Sequence, residues 1–221
     1  MELKLEHISQ GRQSLSPGGE RTLSMRDLRV TAIANLGATR DGYDCLDLSN
    51  NEIRKLDNFP LLPRLRTLVV AGNRISKISR DLGTSLPNLT SLVLTGNSIT
   101  HLRDLSPLFA LSKLERLSLL DNPVTAVPNF RLSMVLRLPS LRFLNFCKVT
   151  KKERDSAVSF FRTEEGLSLL REQGYELPTS DSLGFDGYSP ATMVEKTIDV
   201  NALPEVDKGI MGSVSELPSA V

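Results

Sequence analysis

The densest group of side chains that could bind a ligand is basic and lies near position 150. Lys148, Lys151, Lys152 and Arg154 fall within one short stretch. We expect this cluster to lack acidic partners and to bind phosphate, because closely spaced cations attract the anionic backbone of a nucleic acid. The alternative, that these are ordinary solvated residues on the protein surface, stays open at this point.

Residues that support metal or redox chemistry are scarce. The chain has two cysteines, Cys45 and Cys147, and two histidines, His7 and His101. Two cysteines are too few for a disulfide framework, and His101 has no second ligand at the spacing that a metal site needs. We therefore predict no metal, no cofactor, free thiols and a surface position for His101.

Motifs that mark catalytic or nucleotide-binding sites are missing from the sequence as well. It contains no GxGxxG, no GxxxxGK[ST], no HExxH and no GxSxG. No apolar run approaches the roughly 18 residues that span a bilayer. We predict a protein without catalytic residues, small-molecule substrate or membrane insertion, located in the cytoplasm or nucleus.

A repeat accounts for most of the 38 leucines among the 221 residues. Segment 65–73 reads LxxLxVxxN, and segment 89–97 matches it position for position as LxxLxLxxN. Two further copies bring the aligned asparagines to four, separated by 22, 24 and 25 residues: Asn51, Asn73, Asn97 and Asn122. This is the period of leucine-rich repeats, so these asparagines are predicted to be structural. The fold class is an α/β solenoid of about six repeats, with a parallel sheet on its concave face and short irregular or 3₁₀ segments on its convex face.

Degenerate copies flank the four repeats and are expected to cap the ends of the stacked core. Segment 23–33 has Leu28 at the asparagine position, and segment 141–149 has Phe146 at the third leucine position and Val149 at the asparagine position. Thr150-x-x-Glu153 is a capping box that begins a helix. Ala157, Phe160 and Phe161 share one face of that helix, which should cover the last repeat.

Side chains that alternate with the buried strand leucines must lie on the concave face. Val69, Ala71, Val93 and Leu120 form an apolar stripe at its centre, which suggests a protein partner. About five strands spaced roughly 4.8 Å apart span about 20 Å, which suits one amphipathic helix. The alternative is that valine simply favours strands. The predicted partner-binding residues are Asp47, Ser49, Val69, Ala71, Val93, Thr95, Ser118, Leu120 and Asn145.

The chain is predicted to comprise an N-terminal segment, 1–20, a repeat domain with its C-terminal cap, 21–162, and a tail, 163–221. Residues 1–171 carry a formal charge of +8 and residues 172–221 a charge of −7. Beyond about residue 171 the sequence is rich in Gly, Ser, Pro and acidic residues and has no periodic apolar face. We expect this acidic tail to be largely flexible.

Several segments match a known protein family. They are 35–39 (NLGAT), 47–57 (DLSNNEIRKLD), 59–60 (FP) and the cap from 122 to 154. In these residues the chain resembles the A-prime family of U2 small nuclear ribonucleoprotein (snRNP) proteins, over about residues 20–162. It departs from that family at Asn145, where the cap usually has Asp, at Phe130, where Tyr is usual, and at Ala71-Gly72, which replace more polar residues.

The resemblance implies a nuclear, non-enzymatic scaffold of the spliceosome that acts in pre-mRNA splicing. In that family the concave face holds a helix of the RNA-recognition-motif domain of a B-double-prime protein, and the pair binds a terminal stem-loop of U2 snRNA. These two, with other spliceosomal proteins, are the implied partners. The resemblance also implies a basic edge beside the RNA backbone, formed here by Arg26, Lys148, Lys151, Lys152 and Arg154.

A second interpretation is a regulatory leucine-rich-repeat adaptor that binds a phosphatase or a cytoskeletal motor protein without RNA. Such proteins share the cap sequence that begins at Asn122-Pro123-Val124. Nothing in the concave stripe excludes those partners, so RNA in a pull-down would separate the two interpretations.

Overall fold

The structure, a computed structural model, describes residues 1–16 and 18–172. Each repeat contributes one strand of two to four residues to a common sheet, and two further short strands pair beside it. In chain order the strands are β1 (Arg12–Leu15), β2 (Arg21–Ser24), β3 (Cys45–Asp47), β4 (Lys55–Leu56), β5 (Thr67–Val69), β6 (Lys77–Ile78), β7 (Ser91–Val93), β8 (Arg116–Ser118), β9 (Phe143–Leu144) and β10 (Cys147–Lys148).

The main sheet has eight strands in the order β1-β2-β3-β5-β7-β8-β9-β10. Pairing is parallel from β2 to β9. This confirms the predicted solenoid and its parallel concave sheet. An antiparallel hairpin closes each end, β1–β2 at one and β9–β10 at the other, and β4 pairs with β6 in a separate parallel sheet.

Short helices lie in several of the connections between strands and at both ends of the described chain. Three are 3₁₀ helices: Leu36–Thr39, Leu102–Ala110 and Pro123–Ala126. The α-helices are α1 (Leu5–Ser9), α2 (Leu82–Ser85), α3 (Phe130–Arg137), α4 (Lys151–Phe160) and α5 (Glu164–Glu172).

One leucine from each strand points into the core and stacks on the equivalent leucine of the next strand. These six leucines are register partners along the sheet and are at most 2% exposed: Leu23, Leu46, Leu68, Leu92, Leu117 and Leu144. Because no repeat buries its leucines alone, the stack forms one continuous core.

The four asparagines form a ladder of hydrogen bonds inside the turns that follow the strands. Asn73 accepts from the backbone N–H of Ile53 at 3.0 Å and donates its amide to the carbonyls of Leu48 and Val70, both at 3.0 Å. Asn51, Asn97 and Asn122 are bonded in the same way to their own and the preceding repeat. Each asparagine therefore satisfies buried backbone groups of two repeats at once.

Both ends of the folded region extend beyond the predicted boundaries. Before residue 21, Leu3 and Ile8 are buried in the core and β1 pairs with β2. After residue 162, α5 buries Leu170 in the same core, so the fold continues to Glu172. The sequence did not reveal these buried apolar residues, because charged residues recur every two or three positions around them. The predicted tail beyond Glu172 lies outside the described residues.

The C-terminal cap differs from a degenerate repeat. The strand ends at Leu144, and Asn145 and Phe146 adopt φ values of 52° and 62°, so the chain reverses into β10 instead of continuing to the convex side. Phe146, which stands at a leucine position of the repeat pattern, is 73% exposed. The capping helix is confirmed: Thr150 Oγ1 accepts from the N–H of Glu153 at 3.2 Å at the start of α4.

Candidate functional site

The predicted apolar stripe lies on the concave face as a partly exposed surface. Val69 and Val93 are direct register partners on β5 and β7, and both are half-buried. Ala71 and Leu120 continue the stripe just beyond the strand ends, with Leu120 37% exposed. Because the backbone beneath is bonded on both sides, this surface is held in shape before any partner binds.

Three of the predicted partner-binding residues instead bond to neighbours within the fold. Ser49 is 2% exposed and donates to Asp47 Oδ1 at 2.5 Å. Ser118 is 4% exposed, with its hydroxyl 2.8 Å from that of Thr95, and Asn145 Oδ1 accepts from the N–H of Leu119 at 2.7 Å. Short polar side chains at strand ends bond to their own strand, as Ser49 does, or to the neighbouring repeat, as Ser118 and Asn145 do, which the sequence alignment of the repeats did not reveal.

Polar residues at the N-terminal end of the concave face are also bonded to each other within the fold. Asp47 forms an ion pair with Arg26 at 3.3 Å, and the side chains are 17% and 49% exposed. The surface that remains for an apolar partner is therefore centred on Val69, Ala71, Val93 and Leu120, with Thr95 beside them. We call these five residues the concave stripe.

A further column of concave residues was missed, one position before each strand leucine. Its members are register partners: Thr22, Cys45, Thr67, Ser91, Arg116 and Phe143. Residues on both sides of an inward leucine share a face, so alternation alone could have found them. At its C-terminal end the Arg116 guanidinium lies 6.0 Å from the centre of the Phe143 ring, a cation–π contact.

The two cysteines are free thiols in different surroundings. Cys147 is exposed, whereas Cys45 is buried. Burial raises the pKa of the Cys45 thiol, so this group stays protonated at neutral pH.

Lys148, Lys151 and Lys152 are exposed at the C-terminal end of the sheet and the start of α4. Among residues 1–16 and 18–172, no carboxylate forms a salt bridge with any of the three. We call them the lysine cluster. Their exposure and lack of ionic partners leave a local positive charge that fits phosphate.

Arg154, predicted in that cluster, has a different role. Its guanidinium is half-buried and donates to the carbonyls of Val135 and Leu141, which ties α4 to the end of α3 and the loop after it. Carbonyls that lack helical partners are common acceptors at such ends. Arg154 is therefore part of the cap and lies outside the lysine cluster.

The acidic residue in the same stretch, Glu153, forms an ion pair with Arg131 of α3. Glu153 binds the Nε and Nη2 atoms of Arg131, and Arg131 also donates to the carbonyl of Leu144 at 3.0 Å and that of Lys148 at 3.3 Å. The hydrogen bonds from Arg131 hold the pKa of Glu153 below its usual value. The capping box is thus half formed, because the Glu153 carboxylate turns to Arg131.

Arg26 does not join the lysine cluster. It follows β2, and the lysines begin at β10, beyond β9; five strand spacings separate β2 from β9, about 24 Å at roughly 4.8 Å each. The basic edge predicted as one surface is therefore two separate places, of which the N-terminal one is ion-paired.

The described part of the chain holds no group of three or more His, Cys, Asp or Glu side chains arranged to hold a metal ion. His101 is 61% exposed and lies 3.5 Å from Asp104. Within the same residues, no helix has the length and apolar character needed to cross a membrane.

Comparisons with known proteins agree with this geometry. A leucine-rich repeat family model matches residues 1–173. A Drosophila melanogaster protein described as a probable U2 small nuclear ribonucleoprotein A' is 46% identical over 172 residues, which cover 78% of this chain and 65% of that protein. The mouse U2 small nuclear ribonucleoprotein A' is 40% identical over 225 residues, covering 96% of this chain and 88% of that protein.

A solved structure is similar over most of its length. The crystal structure of the Drosophila melanogaster SNF/U2A' complex contains a chain that is 48% identical to this one, with a TM-score of 0.76. The match covers 78% of this chain and 99% of that one. The chain thus spans just under two thirds of the Drosophila relative and nearly all of the crystallised fragment.

Proposed function

This chain belongs to the U2 small nuclear ribonucleoprotein A' family of leucine-rich-repeat proteins, and from that premise we propose that it is a nuclear, non-enzymatic scaffold of the U2 particle in pre-mRNA splicing. Its concave stripe binds a helix of an RNA-recognition-motif partner of B-double-prime type. The resulting pair binds a U2 snRNA stem-loop, with the lysine cluster contacting the RNA backbone.

The observation that carries this proposal is the concave stripe itself. It is apolar, partly exposed and mounted on a sheet whose buried backbone groups are already satisfied, so a partner helix binds without reordering the surface. The similar Drosophila chain was crystallised in a complex with a second protein, SNF, which supports a protein partner for this fold.

Substitution of the stripe tests the protein interface. Val93→Glu places a carboxylate where the partner's apolar face would remove it from water, so we expect affinity for the partner to fall by about 100-fold or more. Ser98→Glu, an exposed position of the same repeat outside the concave stripe, is the matched control and should bind normally. Calorimetric titration gives both affinities, and equal binding by the two variants would overturn the interface.

Charge reversal tests the RNA contact. Replacing Lys151 and Lys152 by Glu should weaken binding of the two-protein complex to stem-loop RNA and lower the slope of log K against log salt by about 2, because roughly one counterion is released per phosphate contact. The control is the same double reversal at Lys55 and Lys77, which are exposed on the separate β4–β6 sheet. An unchanged slope for the Lys151 and Lys152 variant would refute the RNA edge.

A tagged pull-down from nuclear extract tests the assignment as a whole. We expect to recover U2 RNA together with an RNA-recognition-motif protein, and to lose both with Val93→Glu. Recovery of a phosphatase or a motor protein without RNA would leave the fold unchanged and overturn the splicing function.

A further inference from the structure

The turn between β9 and β10 holds an aromatic residue where the backbone favours glycine. Leu144 pairs with Cys147, so Asn145 and Phe146 are the two central residues of a hairpin loop. Both have positive φ, 52° and 62°, as a type I′ turn requires, and the usual sequence of that turn is Asn-Gly. A phenylalanine in this conformation is strained, because its Cβ crowds the backbone.

Packing does not account for Phe146 either. Its side chain is 73% exposed, the largest exposed fraction among the large hydrophobic residues of the described chain. A strained backbone and a mostly solvent-exposed ring both disfavour phenylalanine here, so neither the turn nor the core explains the residue. Strain of this kind that brings no gain in packing is typical of functional positions.

The lysine cluster is adjacent to Phe146 along the chain. Lys148 belongs to the same hairpin, two residues after Phe146, and pairs with Phe143. Lys151 and Lys152 begin α4 immediately after β10. This stretch of chain therefore combines a solvent-exposed aromatic residue with three exposed cations that form no salt bridge among the described residues.

We propose that Phe146 is a stacking platform for an unpaired RNA base, with the lysine cluster binding the phosphates on either side of that nucleotide. Proteins recognise single-stranded RNA by this combination, in which an aromatic ring stacks on the face of a base and cations follow the backbone. The charge favours RNA over a protein helix, because an apolar helix end seated on Phe146 would leave three ammonium groups without anions.

This inference rests on the proposed function and adds to it. The lysine cluster by itself provides sequence-blind contacts with phosphate, whereas Phe146 adds a contact with a base. The proposal therefore assigns to this chain a part in distinguishing unpaired from paired RNA.

Three substitutions of Phe146 separate stacking from simple apolar contact. The full chain is purified with its partner, and the complex is titrated with U2 stem-loop RNA labelled for fluorescence anisotropy. Phe146→Tyr should keep the affinity, because the ring is retained. Phe146→Leu keeps the apolar character without the ring and should lower affinity by about tenfold, as should Phe146→Gly.

Two further readouts distinguish this role from a structural one. The slope of log K against log salt should stay at its original value in all three variants, since no phosphate contact is removed. The thermal midpoint of Phe146→Gly should rise by about 2–4 °C, because glycine relieves the left-handed backbone. A structural residue would show the opposite change in midpoint.

Several results would overturn the proposal. Original affinity for Phe146→Leu would show that the contact is not stacking, and a fall in midpoint for Phe146→Gly would show that the residue is kept for the fold. Complex formation with the partner is measured in the same samples. If the complex forms and RNA affinity is indifferent to Phe146, the proposed scaffold function stands and this inference alone fails.

Discussion

The central repeats and the C-terminal cap satisfy their buried backbone groups by different means. In the repeats a neutral asparagine at each turn bonds to its own repeat and the preceding one, as Asn97 does to Ile75, Val70 and Leu94. In the cap two arginines take over: Arg131 donates to the carbonyls of Leu144 and Lys148, and Arg154 to those of Val135 and Leu141.

This difference has consequences for stability. The ladder is neutral and serves two neighbours at each step, so its contribution is independent of pH and is shared along the solenoid. The cap depends on charged groups that serve one end, so its contribution is local and depends on the charge of Glu153.

The largest expected effect is removal of a ladder asparagine. Asn97→Ala leaves the buried N–H of Ile75 without a partner. It also removes one of the two side-chain amide hydrogen bonds that the carbonyls of Val70 and Leu94 each accept, the other coming from Asn73 and Asn122 respectively. We expect a loss of about 3 kcal/mol in the free energy of unfolding. Urea unfolding measures it. Asn88→Ala is the control, since exposed Asn88 donates only to the carbonyl of Pro63, and should cost about 0.5 kcal/mol. Equal losses would contradict the ladder.

The destabilisation caused by removing Arg131 from the cap should be smaller than that at Asn97 and confined to the C-terminal end of the solenoid. Arg131→Met keeps the aliphatic stem but leaves the Glu153 carboxylate and the Leu144 carbonyl without this donor, for about 2 kcal/mol. Amide hydrogen exchange should accelerate in α4 and stay slow in β5 and β7. Arg142→Met is the control. It removes an ion pair with Glu115 whose nitrogen–oxygen distance is 3.5 Å and whose arginine side chain is 69% exposed, so it should change neither the free energy of unfolding nor the exchange rates. Faster exchange throughout the solenoid would contradict a local role.

The same contrast explains what the sequence could predict. Periodicity encodes contacts between equivalent positions, so the asparagines, the stacked leucines and the parallel sheet follow from the spacing alone. Thr150 and Glu153 predicted the start of α4 because a helix cap is a local signal. Of the concave stripe, Val69 and Val93 were found by alternation, since side chains two positions apart share a face.

Features without a repeating equivalent were missed. The ion pair of Arg131 with Glu153 joins residues from two different elements, and no spacing rule connects them. The burial of Ser49 depends on a carboxylate that its own strand places within reach. The exposure of Phe146 follows from a reversal of the chain, which Asn-Phe at the turn does not signal as Asn-Gly would.

A smaller effect concerns pH. Because Arg131 lowers the pKa of Glu153 in the folded state, the ionised carboxylate contributes stability above its ordinary value of 4.5, and this contribution is lost as pH falls through the lowered pKa. We expect Glu153→Gln to cost about 1 kcal/mol at pH 7 and progressively less as the pH falls below 4. Urea midpoints of wild type and Glu153→Gln across this pH range measure the difference. Asp44, whose pKa is also lowered, is present in both proteins, so its effect on stability cancels.

Asp155→Asn, an exposed position on the same helix, is the matched control for that experiment. It removes a carboxylate without removing a hydrogen bond to Arg131, so it should not reproduce the effect at pH 7. A difference between wild type and Glu153→Gln that does not change with pH would show that the ion pair contributes nothing through its charge.

The smallest effect is expected at Asn145, where the ladder meets the cap. Its Oδ1 accepts from the N–H of Leu119, while its side-chain NH₂ group donates no hydrogen bond to any residue in 1–16 or 18–172. Asn145→Asp therefore keeps the one bond, and aspartate tolerates the positive φ of this position, so stability at pH 7 should change by less than about 0.5 kcal/mol. The identical substitution at Asn97 removes the hydrogen bonds that its side-chain amide donates to the carbonyls of Val70, Leu94 and Thr95 and buries a charge, and should cost about 3 kcal/mol or more. If the two variants unfold at the same urea concentration, the amide donors do not hold the repeats together, and the distinction between ladder and cap fails.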